Sequence, residues 1–288
     1  MASQNKPMNG KVCMVTGATS GIGKVTAQEL AQQGATVIIV GRSPEKGTDA
    51  VDQIKQQTGS TVEFMLADLS VQQEIHRLVN QFKSKYQRLH VLVNNAAGVF
   101  FKRQKSVEGI EQTFATNHLG YFLLTNLLLD TLKASAPARI INVSSDVHRS
   151  ETINFNNLQG EQKYRGYKAY RRSKLYNLYF TYELTRNLEG TGVTVNAVTP
   201  GLVKTNLGIE GGGFSSFMKK LINFIAGKSP EEGARPIIYL ATSSEVEGVT
   251  GKYFKNDEAV LSSNASYDKE AAQKLWDISA ELTGLLEK

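Results

Sequence analysis

Cysteine is almost absent from this chain. Its single residue, Cys13, excludes an intrachain disulfide and any multi-cysteine metal site, and it fits a reducing compartment. The four histidines, His76, His90, His118 and His148, show no metal-ligand spacing, so no metal is expected. No uninterrupted apolar run approaches the ~20 residues needed to span a bilayer. Met1 to Gly10 is polar and too short for the apolar region of a signal peptide. These absences predict a soluble, cytoplasmic protein. There is no internal repeat, no low-complexity tract and no composition break of the kind that marks a linker, so 1–288 is expected to form one domain. The net charge of +6 is scattered, not blocked. It reads mostly as solvated surface with room for a phosphate-bearing ligand, and nucleic acid is not expected as a partner.

What is present is a regular alternation. Short, nearly continuous apolar runs at Val12–Val15, Thr36–Val40, Thr61–Leu66, His90–Val93, Arg139–Val143, Val193–Val198 and Lys252–Phe254 read as buried strands. Between and after them, helical patterns cover about 21–33, 44–57, 71–86, 114–133, 167–188, 230–241 and 269–286. β-branched strands each followed by a helix predict an α/β fold, a doubly wound, Rossmann-type parallel sheet of about seven strands with helices on both faces.

Two turns carry candidate ligand chemistry. After the first strand comes Gly17-Ala18-Thr19-Ser20-Gly21-Ile22-Gly23. Glycines there permit unusual backbone angles and let a pyrophosphate approach the main chain at a helix N-terminus. The spacing differs from Gly-x-Gly-x-x-Gly, so the dinucleotide fingerprint matches in mechanism and not in letter. The second strand ends in Gly41-Arg42-Ser43, with no acid before Glu45. An acid at this point would bind ribose hydroxyls, whereas a guanidinium holds a 2′-phosphate by paired hydrogen bonds. The expected cofactor is therefore NADP(H), with Lys46 as a secondary candidate.

Tyr170 and Lys174 stand four residues apart on the helix expected at 167–188, which puts them on one face. An ammonium near a phenol favours the phenolate and lowers a pKa that is ~10 when unperturbed. Such a phenol can move a proton to or from a carbonyl or alcohol oxygen. Tyr164 and Lys168 form a second pair of this spacing, but ahead of the established helix.

Taken with Asp68-Leu69, Asn94-Asn95-Ala96-Ala97-Gly98, Asn117-His118-Leu119-Gly120, Asn142-Val143-Ser144-Ser145 and Pro200-Gly201, in this order, the chain resembles the short-chain dehydrogenase/reductase family from about Lys11 to Leu285. Gly251-Lys252-Tyr253-Phe254 and Leu275-Trp276 resemble its retinol dehydrogenase type, NADP(H)-dependent oxidoreductases of carbonyls and alcohols. The resemblance implies catalytic roles for Tyr170, Lys174 and Ser145, with Ser144 as the neighbouring alternative, and for Asn117 the anchoring of a water that leads to Lys174. It also implies cofactor contacts at Gly17, Thr19, Ser20, Gly21, Ile22, Gly23, Arg42, Asp68, Leu69, Asn95, Ala96, Tyr170, Lys174, Pro200, Gly201, Val203 and Thr205. Ala97 departs from the family's usual glycine.

Residues 206–228 are glycine-rich and then apolar, with Phe214, Phe217, Met218, Leu221, Ile222, Phe224 and Ile225. They read as a substrate lid, as a helix on a membrane surface through 214–225, or as core packing. The lid reading implies a small apolar carbonyl or alcohol, retinal-like by resemblance. Two other functions compete. Ser173-Lys174-Leu175 resembles protochlorophyllide reductase, which is expected to carry cysteines near its pigment. A redox sensor that binds NADP(H) without turnover would typically lose the tyrosine or lysine. Oligomeric state stays open.

Overall fold

The structure is a computed structural model that describes residues 6–201, 208–210 and 228–286. Val203, Thr205 and the apolar stretch 214–225 lie outside the described residues. Ten strands are described: β1 (Val12–Thr16), β2 (Thr36–Gly41), β3 (Val62–Leu66), β4 (Val91–Asn94), β5 (Gly98–Phe100), β6 (Ala138–Val143), β7 (Val193–Thr199), β8 (Gly208–Glu210), β9 (Tyr253–Lys255) and β10 (Glu258–Val260). Eight of them form one sheet in the order β10-β9-β7-β6-β4-β1-β2-β3. Every pairing in it is parallel except β9 with β10. Strands β5 and β8 pair separately, parallel, over Gly98–Phe100 and Gly208–Glu210.

The alternation of the strands sorts the core into two layers. Met14, Ile38, Val40 and Leu92 pack with α3 (Gln72–Lys85), α4 (Gly120–Lys133) and α5 (Gly166–Asn187) on one face. Cys13, Val15, Val37 and Ile39 pack with α1 (Gly21–Gln32), α2 (Pro44–Thr58) and α6 (Pro230–Thr242) on the other. A last helix, α7 (Lys269–Leu282), lies on α5, with Trp276 stacked on Phe180 at 5.9 Å between ring centroids. Both faces of each central strand are thus buried, which is why their sequences are continuously apolar.

Sequence and structure differ in several elements, beginning with the strands β5 and β8, for which no apolar run is expected. The sheet has eight strands where about seven are expected, because β10 is a mostly exposed strand without an apolar run. It is joined to β9 by Asn256-Asp257, both with positive φ (50° and 70°), a turn that suits the twist of a two-residue hairpin. The helix expected over 114–133 begins instead with a short α-turn at Gln112–Phe114 and a π-helical turn at Ala115–Leu119. The last helix stops at Leu282, short of the expected 286.

Between β1 and β4 the strand order reverses, so the loops leaving their C-terminal ends diverge to opposite faces. Open α/β sheets bind ligands in the crevice that such a reversal creates.

Candidate active site

The loops at this reversal are pinned to each other. Thr16, the last residue of β1, donates from Oγ1 to the Val93 carbonyl at 3.3 Å and accepts from the amides of Asn95 and Ala96 at 2.9 and 3.1 Å. Asn95 returns its side-chain amide to the Thr16 carbonyl at 2.8 Å. The glycine turn and the Asn95-Ala96 turn therefore move as one piece. Thr16 was not among the site residues read from the sequence; a threonine closing a buried strand beside a glycine turn is the available signal.

Glycine is required where these turns meet. Gly17 and Gly21 have φ of +64° and +55°. A Cβ on Gly17 would lie 2.7 Å from the Ala96 Cα, and one on Gly23 would lie 2.5 Å from the Asn95 side-chain nitrogen. Ser20 precedes α1 without a side-chain cap, so the first-turn amides of Gly21, Ile22 and Gly23 are left to a ligand. A dinucleotide pyrophosphate fits this cradle: no side chain intervenes, and the amides and the helix dipole face it.

The remaining cofactor candidates lie along the same sheet edge. Arg42 is exposed just beyond β2, and a Cβ on the neighbouring Gly41 would meet the Thr19 methyl at 2.6 Å, which places Arg42 beside the glycine turn. Asp68 follows β3; its Oδ1 accepts from the Ser70 amide and hydroxyl at 2.9 and 2.7 Å, and its amide donates to Glu74 at 2.7 Å. Leu69 is buried, its carbonyl lying where a Cβ on Gly120 would sit 2.7 Å away. Pro200 and Gly201 follow β7, with Gly201 at φ +80° and its amide donating to Thr199 Oγ1 at 3.2 Å.

Helix α5 carries the polar heart of the site. It starts at Gly166, where a Cβ would collide with the Phe100 carbonyl, so only glycine lets the helix begin against β5. Lys174 is buried, and its Nζ donates to the Val143 carbonyl at 3.0 Å. It sits 5.5 Å from the Tyr170 ring centroid and 6.0 Å from that of Tyr121. Burial pushes the Lys174 ammonium down to about 7. Burial also raises the Tyr170 phenol well above its ordinary value, with Tyr167 adding to the rise. This differs from the expected lowering of the phenol by the lysine. Loss of water outweighs the ammonium, which is spent on a main-chain carbonyl and whose charge is itself weakened by burial.

Ser144 and Ser145 diverge as strand alternation requires. The Ser144 hydroxyl is buried and donates to the Lys174 carbonyl at 2.7 Å. Ser145 is half-buried, and its hydroxyl has no hydrogen-bond partner among the described residues. Asn117, in the π-helical turn, accepts from the Gly98 amide at 2.8 Å and donates to the Gly98 carbonyl and to Ser173 Oγ, each at 3.0 Å. It thus ties β5 to the residue before Lys174. Tyr164 is committed elsewhere, its one O–H proton shared between the Phe100 carbonyl at 2.8 Å and Glu111 at 2.9 Å.

The loop after Ser145 is braced from the C-terminal part of the chain. Asp146 accepts from the Tyr253 hydroxyl at 3.0 Å and pairs with Lys255 at 2.8 Å and Arg149 at 3.2 Å. Burial alone would raise its carboxyl, but these three donors hold it below the usual range. Cys13 is wholly buried in β1, its thiol pushed up to about 12 by burial, which keeps it out of any ligand chemistry. Among the described residues no three His, Cys, Asp or Glu side chains converge as a metal site, and no helix is long and apolar enough to cross a membrane.

A parallel sheet with a glycine cradle at its reversal and a tyrosine–lysine helix beside it defines a class, and the sequence matches the short chain dehydrogenase family over residues 11–211. The chain belongs to that family and is an oxidoreductase. Within it the chain is retinol dehydrogenase-like: it is 41% identical to human retinol dehydrogenase 14, over 97% of this chain and 88% of that protein. It is likewise 41% identical to human polyprenol dehydrogenase, over 98% and 87%. Among solved structures it is similar to an uncharacterized protein from Mycobacterium paratuberculosis, with a TM-score of 0.76 and 30% identity over 96% of this chain and 94% of that one. A short chain dehydrogenase from Escherichia coli CFT073, solved in complex with NADPH, shares the fold with a TM-score of 0.69 and 22% identity over 88% and 100%.

Proposed function

We propose that the protein is an NADP(H)-dependent oxidoreductase that interconverts a long, apolar aldehyde or ketone with its alcohol. The observation that carries this reading is the Lys174 bond to the Val143 carbonyl. It ties the helix face bearing Tyr170 to the end of the strand that leads to Ser145, which supports reading the phenol and the serine hydroxyl as parts of one site.

When bound, the nicotinamide supplies or accepts the hydride. The chain does the rest. Ser145 donates a hydrogen bond to the substrate oxygen, and Tyr170 gives that oxygen its proton as negative charge develops. The raised phenol of Tyr170 keeps it protonated at neutral pH, the form that reduction needs. In oxidation Tyr170 takes the proton back. Lys174 holds the nicotinamide ribose, and Asn117 fixes Ser173 and with it the register of Lys174. Arg42 would pair with the 2′-phosphate, Asp68 and Leu69 would receive the adenine, Asn95 and Ala96 would lie toward the ribose, and Pro200 and Gly201 toward the carboxamide. The E. coli structure with NADPH supports this choice of cofactor.

The substrate class rests on two supports. The relatives named above are dehydrogenases of retinol and of polyprenol, both long apolar alcohols. The sequence of 214–225 is rich in large apolar side chains suited to covering such a substrate, and we read 1–288 as one domain that includes this lid. A pocket so lined desolvates a polar substrate without compensation, whereas each buried methylene is worth ~0.8 kcal/mol, roughly a fourfold gain in affinity. Catalytic efficiency with straight-chain aldehydes should therefore climb steeply with length. A flat series, or a preference for a polyhydroxylated carbonyl, would overturn the substrate assignment. A single buried thiol favours a reducing, cytoplasmic setting.

A further inference from the structure

Ser145 has no side-chain partner among the described residues, so its position is set by its backbone. That backbone has an unusual support. The Ser145 carbonyl accepts twice from one residue, from the His148 amide at 3.1 Å and from His148 Nδ1 at 2.6 Å. His148 is wholly buried, and its other ring nitrogen, Nε2, accepts from the Ser263 amide at 3.0 Å. An amide can only donate, so Nε2 carries no proton and the proton sits on Nδ1, pointing at Ser145. The ring is wedged edge-on against Tyr253 at 5.2 Å, and Tyr253 also holds Asp146, the residue after Ser145. Burial lowers the imidazole below its ordinary range; the Ser145 carbonyl bond opposes it, Arg149 adds a lesser lowering and Asp146 a lesser rise. One side chain thus joins the candidate catalytic loop to the segment after β10.

We propose that His148 is a positioning residue for Ser145: a neutral imidazole strut that transmits the place of the 261–266 segment to the Ser145 main chain and so sets where the hydroxyl meets the substrate oxygen. The proposal rests on the reading of Ser145 as the group that binds that oxygen. In this reading His148 acts through the Ser145 main chain and not on the substrate itself. A fixed hydroxyl matters because a displacement of about 1 Å in a reacting group can cost ~100-fold in rate.

Two substitutions cut the strut at different places. His148→Phe keeps an aromatic edge against Tyr253 and removes both ring bonds. Ser263→Pro removes the amide that holds Nε2 and puts the ring Cδ where its hydrogen pointed, so the imidazole loses that support and must shift, at a residue whose φ of −71° already suits proline. Each would be made alone and together with Ser145→Ala, and turnover of a long-chain aldehyde with NADPH would be measured beside NADPH affinity and thermal midpoint. In the wild-type background each should lower kcat by roughly 10- to 100-fold with NADPH affinity unchanged. In the Ser145→Ala background each should cost less than about threefold, because the hydroxyl they position is gone. Equal losses in the two backgrounds, or no loss at all, would overturn the proposal and leave His148 a packing residue. If His148→Phe fails to fold, the Ser263→Pro cycle decides alone. Should Ser145→Ala itself leave turnover intact, it is the reading of Ser145 that falls, and the cycle separates that failure from the other.

Discussion

At Tyr170 and Lys174 two neighbouring groups are displaced in opposite directions by one cause. Burial favours the uncharged form of each, so the phenol is raised and the ammonium falls to about 7. The spacing of the pair is visible in the sequence; the balance of burial against charge is not, because it depends on how much of the surrounding fold excludes water. The lysine shift has a consequence for stability. Between about 7 in the fold and ~10.4 in the unfolded chain, the unfolded state binds a proton that the folded one lacks. Stability from this group therefore rises with pH across that window, by ~1.4 kcal/mol per pH unit at most, and is level below it. Cys13, held at about 12, acts in the opposite sense at the alkaline end, so the comparison should be made against Lys174→Met, in which Cys13 cancels. The difference in unfolding free energy between the cofactor-free proteins should grow in favour of wild type as pH rises from 7 to 9. A difference independent of pH would show that Lys174 keeps an ordinary pKa. Arg42 makes the second prediction at this scale. Losing a charged hydrogen-bond partner costs ~1.5–3 kcal/mol, so Arg42→Ala should weaken NADPH about 10- to 100-fold while NADH changes little. Equal losses would remove the 2′-phosphate from its assigned partner.

Elements differ in how openly their sequences declare them. Strands β1, β2, β4, β6 and β7 are buried on both faces and read as apolar runs, and Gly17, Gly21 and Gly23 mark their first turn. Strand β10 has no buried face to betray it, and β5 and β8 are three residues each. The π-helical turn at Ala115–Leu119 is hidden for another reason: it is made by tertiary demands on one helix. Asn117 must reach Gly98 and Ser173 while His118 turns into the core, where it stacks on Phe114 at 5.3 Å and bonds Ser279 of α7 at 2.9 Å. Burial drives that imidazole down to about 3, with the Asn177 side chain opposing, so it stays a neutral core group. The brace of His148 and Asp146 on the Ser145 loop was equally illegible, since its partners Tyr253, Lys255 and Ser263 are over a hundred positions away along the chain. The glycine turn offers the test at this scale. Gly23→Ala would force a methyl against Asn95 and the Gly17 carbonyl, at ~1–3 kcal/mol of overpacking. Thermal stability should drop and NADPH affinity should fall together. An alanine variant that binds NADPH normally would show that the Asn95 contact yields freely.

Across the whole molecule, the sheet order brings the ends of β1, β2, β3, β4, β6 and β7 along one edge, and every candidate cofactor residue among the described ones follows one of those strands or lies on α1 or α5. That is why the site was readable as a series of motifs in chain order: each strand delivers one short segment to the edge, and the parallel pairing aligns the segments. The opposite holds for the support of the site, which comes from the antiparallel β9–β10 end and from α7: the motifs Gly251–Phe254 and Leu275-Trp276 mark these segments in the sequence, but not which residues of the site they contact. The central claim is that this edge performs proton-coupled hydride transfer through Tyr170. Its most direct test is NADPH oxidation with retinal or another long-chain aldehyde by wild type and Tyr170→Phe, with NADPH affinity measured on the same samples. Loss of a general acid should lower turnover by about 100- to 10,000-fold while NADPH binds both proteins alike. A phenylalanine variant that keeps more than a few per cent of the wild-type rate, at full NADPH occupancy, would contradict the account.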